Sequence, residues 1–188
     1  MTSRIRQELI IWSVVLAVAL GALPAQAADR SLEYAVKATF LYKFASFVDW
    51  PAGSFEHDTS PFYLCVAGPD PFGGRIADAV AGQNVGRHPI VLRSLETAEA
   101  RSNCHSLLVS GSSQQVAEVL SAVRGTPTLT ITDSSVGRSA GIIHFVIVDD
   151  RVSFDIDNVA AAANRLVVSS KLLALARKVR TERPGTLP

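Results

Sequence analysis

The chain has 188 residues, with 18 Lys plus Arg set against 17 Asp plus Glu. A hydrophobic share of 48% is enough for a sizeable core, and the absence of basic clusters argues against nucleic acid as a partner. The length suits one domain, without internal repeats or low-complexity stretches.

Residues 1–27 read as a secretory signal peptide. Arg4 and Arg6 give a positive start, Leu9 to Leu20 is an apolar run broken only by Ser13, and Ala25-Gln26-Ala27 is an A-x-A cleavage site. The run, at 12 residues, is short for a membrane span, so the alternative of an uncleaved anchor fits less well. Cleavage would remove Arg4, Arg6 and Glu8 and leave 16 charges of each sign. The expected organisation is a signal peptide over 1–27, an exported domain over 28–180 that does not span a membrane, and a frayed tail over 181–188.

The stretch Glu33 to Pro51 predicts one amphipathic helix. Tyr34, Val36, Phe40, Leu41, Phe44, Ala45, Phe47 and Val48 share an arc at helical spacing. Pro51 lacks an N–H and biases Trp50 away from helix, which puts the stop near Asp49. Lys37 falls inside the apolar arc and Trp50 at its exit. One reading has Lys37 snorkel to a wet amine and Trp50 plug the core. The other places both at a partner-binding surface, together with Phe55 in the loop that follows.

The apolar run FYLCVAG at Phe62–Gly68 predicts a buried strand, and PDPFGG leads from it into a helix at Arg75–Ala81. The glycines do not form G-x-G-x-x-G and no P-loop lysine follows, so the bland turn reading prevails over a nucleotide site. Gly82–Arg87 reads as a turn, His88–Arg93 as a strand, Thr97–Ser102 as loop and His105–Ser110 as a strand. Ser112 and Gln115 form a capping-box pattern ahead of a helix carrying Val116, Val119, Leu120 and Val123. Thr128–Thr132 is β-branched strand, and Asp133–Ala140 is polar loop. Ile142–Val148 and Arg151–Asp157 predict an antiparallel hairpin through Asp149-Asp150. A helix follows with Asp157 or Asn158 as cap, and another runs from the N-cap Ser169 through Arg180. The order predicts an α/β fold: a single compact domain with a mixed, mostly parallel sheet, a C-terminal antiparallel hairpin and helices packed on the sheet, layered like a Rossmann fold without its nucleotide motif.

Chemistry-bearing patterns are sparse. Cys65 and Cys104 are an even pair in an exported chain, which favours a disulfide over two separate buried thiols. His57, His88, His105 and His144 lack metal-ligand spacing, no serine sits in G-x-S-x-G, and Asp149/Asp150 and Asp155/Asp157 read as turn and solvent-face residues. No catalytic residue, cofactor site or metal site is expected.

Taken in order, these blocks resemble the YfiR/HmsC-like regulators. EYAVKATFLYKFASFVDWP opens the domain, FYLCVAGPDPFG follows, Cys104 precedes LLVS, TLTITD leads to GIIHFVIVDDRVSFDID, and VSSKLLALA closes it. The resemblance covers about Leu32 to Lys178. It implies a small periplasmic α/β protein, often a homodimer, that inhibits an inner-membrane diguanylate cyclase by binding that enzyme's periplasmic sensor domain. Relief of the inhibition raises cyclic di-GMP and favours biofilm. Some members carry a second cysteine pair; this chain has only Cys65 and Cys104. Similar domains also occur attached to sensor kinases. The competing expectation is a periplasmic small-ligand module with its pocket at the strand ends near Gly68–Gly74.

Overall fold

The computed structural model describes the backbone of residues 24–134 and 141–181, with side chains from Ser31 onward within those ranges. Residues 1–23 of the proposed signal peptide, most of the Asp133–Ala140 loop and the tail beyond Thr181 lie outside the described residues. The chain divides into two units, Met1–Tyr34 and Ala35–Pro188. Apart from the opening turns of the first helix, the features below belong to the second.

Helix α1 spans Pro24–Ala45. Its end is earlier than Pro51 predicts. Val48–Asp49 forms a short strand, β1, that pairs antiparallel with β9 (Val167–Val168), and Ser169 N–H donates to the Phe47 carbonyl. Pairing with a distant segment thus takes the last predicted helical turn. Within the unit, α1 buries Lys37, Ala38, Leu41, Phe44 and Ala45. The buried stripe is rotated from the expected arc, so that it is centred on Leu41, includes Lys37 and leaves Val36 and Phe40 only half-buried.

The main sheet has eight strands in the order β10-β8-β7-β6-β5-β2-β4-β3. Strands β4 (His88–Leu95), β2 (Phe62–Ala67), β5 (Ser106–Val109), β6 (Leu129–Asp133) and β7 (Ile143–Val148) run parallel. β8 (Arg151–Asp157) is antiparallel to β7, β10 (Lys178–Arg180) is parallel to β8, and β3 (Asn84–Val85) is antiparallel to β4. The near-continuous burial of β2, β5 and β6 is what covered parallel strands show. The β7–β8 turn is the two-residue Asp149-Asp150, with φ of 48° and 57°, the left-handed pair of a type I′ turn despite the lack of glycine.

On one face, Phe40 and Phe44 of α1 meet Phe145 of β7 and Phe154 of β8, with ring centroids 4.9–6.4 Å apart. On the other, α3 (Ser113–Ala122) and the following Val123 pack Val116, Val119 and Val123 over Cys65, Ala67, Leu107 and Val109. The predicted capping box forms: Gln115 N–H donates to Ser112 Oγ, and Ser112 N–H to Gln115 Oε1.

α2 (Arg75–Val80) and α4 (Asn158–Ala163, capped by Asp157) stand close to expectation. The turn Gly82–Arg87 contains β3, and the Thr97–Ser102 loop contains a single 3₁₀ turn, Ala100–Ser102. The last helix is corrected. α5 covers only Ser170–Leu175, and Lys178–Arg180 is strand, not helix. Arg177 Nε–H donates to Asp155 Oδ1 at 2.8 Å, and Arg180 pairs with Asp157. Basic side chains placed to suit a helix end instead meet two carboxylates along β8.

Candidate functional site: an aromatic loop clamped by two histidines

Strands β4 and β5 flank β2, and each opens on a histidine: His88 is the first residue of β4 and His105 immediately precedes β5. Between them, at the start of β2, sit Phe62 and Tyr63. The loop from Trp50 to Pro61 folds against this end of the sheet. Trp50 stands edge-on to Phe62 with centroids 5.3 Å apart, and its indole N–H donates to the Pro127 carbonyl at 3.0 Å. Phe55 stacks between the two imidazoles, 3.8 Å from His88 and 4.4 Å from His105.

Both histidines also hold the loop backbone. His88 Nδ1–H donates to the Ser60 carbonyl at 2.7 Å. His105 Nε2–H donates to the Ser54 carbonyl at 2.9 Å, and its Nδ1 accepts the Tyr63 N–H at 3.0 Å. That pattern requires the neutral ring, because protonation would set a donor at Nδ1 against the Tyr63 N–H. Burial lowers the His105 pKa from the ordinary 6.5; the Ser54 carbonyl opposes this, and the charges of His88 and Arg93 reinforce it.

Two concavities border the loop. One is a shallow surface cleft of about 300 Å³ lined by Trp50, Phe55, Val85 and His88. The other, of about 440 Å³, is lined by Phe55, Tyr63, Arg93, Cys104 and His105, with the Arg93 guanidinium 3.3 Å from the Tyr63 ring centroid. Cys65 and Cys104 are joined in a disulfide with Cα atoms 5.8 Å apart, and no free cysteine is present among the described residues.

Of the residues singled out in the sequence, Trp50 and Phe55 come together on Phe62, and both are half-buried. Lys37 does not join them. The expectation of a wet amine is overturned: Lys37 is 1% exposed, and its Nζ lies 2.5 Å from Asp133 Oδ2 and 5.9 Å from the Phe145 ring centroid. The ion-pair partner sits at the end of β6, where loop was expected, and is itself buried. Lys37 therefore contributes no contact surface. Conversely, His88 and His105 lack any spacing signal. The only trace of them in the sequence is that HPIVLR and HSLLVS both begin with histidine.

The YfiR/HmsC-like family model matches residues 34–177. The chain belongs to the YfiR/HmsC-like family. No curated protein matches the chain. This YfiR/HmsC-like chain is thereby placed in a family of periplasmic regulatory domains, which is not a known enzyme family. Among the described residues, no helix is long and apolar enough to cross a membrane, and no group of His, Cys, Asp and Glu could hold a metal ion.

The YfiR/HmsC-like domain should lose stability on mild acidification. His144, whose Nδ1 lies 2.8 Å from Thr132 Oγ1, is also lowered from 6.5 by burial, against the opposing pull of Asp133 and Asp155. A histidine with a lowered folded pKa binds fewer protons folded than unfolded. Its contribution is full above pH 6.5 and is lost as pH falls below that toward the folded value. Urea midpoints should therefore drop between pH 7.5 and 5.5, and His105→Asn should flatten that drop. An unchanged pH profile in the variant would show that His105 does not titrate in this window.

Proposed function

We propose that the protein is a periplasmic regulator that represses an inner-membrane diguanylate cyclase by binding the cyclase's periplasmic sensor domain, and so controls cyclic di-GMP and biofilm formation. The observation that carries this reading is membership of the YfiR/HmsC-like family over residues 34–177. The contact surface is the Trp50–Phe55 cleft, acting in a homodimer. Half-buried aromatics on a rigid support lose little entropy on binding and concentrate affinity. The histidine clamp fixes the Phe55 ring in advance.

Binding to the purified cyclase sensor domain tests it. Phe55→Ala and Trp50→Ala, each checked for intact circular dichroism, are expected to weaken binding by about tenfold or more. Unchanged affinity in both would remove this surface. The failure of any cyclase sensor to bind the parent protein would remove the cyclase reading.

A second reading is favoured by one observation, a cleft at the carboxyl ends of β2, β4 and β5. On that reading the chain is a periplasmic ligand-sensing module whose partner is of another kind, such as a sensor kinase.

A further inference from the structure

β2 is the strand at which the chain changes direction. After β2 the chain moves to β4 on one side, then crosses to β5 on the other and continues outward to β6 and β7. In open α/β sheets the crevice at such a switch point, outside the carboxyl ends of the strands, is where ligands settle. Here that place holds a cleft of about 600 Å³, within the range of small-molecule sites.

The cleft is bounded by main chain that cannot easily move. Gly68, at φ +86°, follows β2 so closely against β5 that a Cβ there would lie 2.3 Å from the Ser110 carbonyl oxygen. Ser110 N–H donates to the Ala67 carbonyl at 3.0 Å, and Ser110 Oγ–H to the Pro69 carbonyl. The floor includes Ala67, Leu95 and Val119 and is apolar. The walls carry Glu96 and Glu118, and no Lys, Arg or His lines the cleft. Gln114 Nε2–H donates to Glu118 Oε1 at 2.9 Å, which fixes one of the two carboxylates.

We infer that this cleft binds a small organic cation, an aliphatic ammonium whose charge sits between Glu96 and Glu118 and whose carbon chain lies on the apolar floor. An anion would meet two like charges with no cation in the lining, so the cleft discriminates by sign as well as by size. The inference deepens the ligand-sensing reading and does not depend on which protein is the partner.

The test uses the intact exported protein in low salt, with pentylamine, pentane-1,5-diamine and valerate as probes. Calorimetry should show saturable binding of the two amines and none of valerate. The double variant Glu96→Gln/Glu118→Gln should weaken amine binding by about tenfold or more. Thr97→Trp, which fills the cleft from an exposed position without changing its charge, should abolish binding while the melting temperature holds. No saturable amine binding, equal binding of valerate, or amine affinity indifferent to both variants would each overturn the inference. None of these results involves the cyclase, so the two readings fail separately.

Discussion

Lys37→Met is expected to destabilise the protein by about 3–5 kcal/mol, and Asp133→Leu by a similar amount. The two charges lie 2.5 Å apart with side chains 1% and 6% exposed, joining the middle of α1 to the end of β6. Removing either leaves the opposite charge buried beside the Phe145 ring without the ion pair's share of the compensation for desolvation. The double variant Lys37→Met/Asp133→Leu should recover most of the loss, since a buried pair exchanged for packed apolar groups is often neutral or better. Urea unfolding of the three variants decides the matter. A double variant as unstable as the sum of the singles would mean that the pair does more than neutralise itself.

Reduction of the Cys65–Cys104 bridge should lower stability by about 4 kcal/mol by the loop-entropy estimate. The bridge closes a loop with a sequence separation of 39, which contains α2, β3 and β4. Once it is open, the unfolded chain regains the freedom of that whole segment. The native contacts of Cys65, in the core under α3, change little. Cys65→Ala/Cys104→Ala should reproduce the reduced protein in urea midpoint. A double variant as stable as the oxidised parent would show that the bridge contributes nothing to the equilibrium. Because Cys104 lines the cavity beside Phe55 and His105, the same pair of proteins can be compared for sensor-domain binding. A difference there, at matched folding, would separate a switch from a staple.

Much of the fold was legible because local and global signals agree. The apolar runs at Phe62–Gly68 and His105–Ser110 are strands because they are short and buried on both faces. RVSFDID alternates because only Phe154 and Ile156 are fully buried, Phe154 against the aromatics of α1. Ser112 and Ser169 cap their helices as their positions imply. What was not legible depends on partners far along the chain. Helical periodicity put Lys37 in the buried arc, and its pairing with the distant Asp133 explains how a charge can stay there. The helix before Pro51 ends four residues early because Val48–Asp49 finds Val168–Val167. The Lys178–Arg180 segment continues α5 by propensity but pairs as a strand with β8, where Arg177 and Arg180 meet Asp155 and Asp157. The site divides the same way. Trp50 and Phe55 stand out by residue type, whereas the two histidines that hold Phe55 come together only once β4 and β5 take their places on either side of β2.

The ends of the sheet have a consequence for assembly. β3 presents two residues and β10 three, and two of those three, Lys178 and Arg180, are exposed and basic. A second chain that tried to lengthen the sheet would gain few main-chain hydrogen bonds, and at β10 it would bring its own cations against these. Within the described residues, any contact between copies of the protein would therefore run through side-chain surfaces, because the sheet ends offer little to strand-on-strand growth. Short, charged sheet ends of this kind guard a folded chain against strand-to-strand polymerisation.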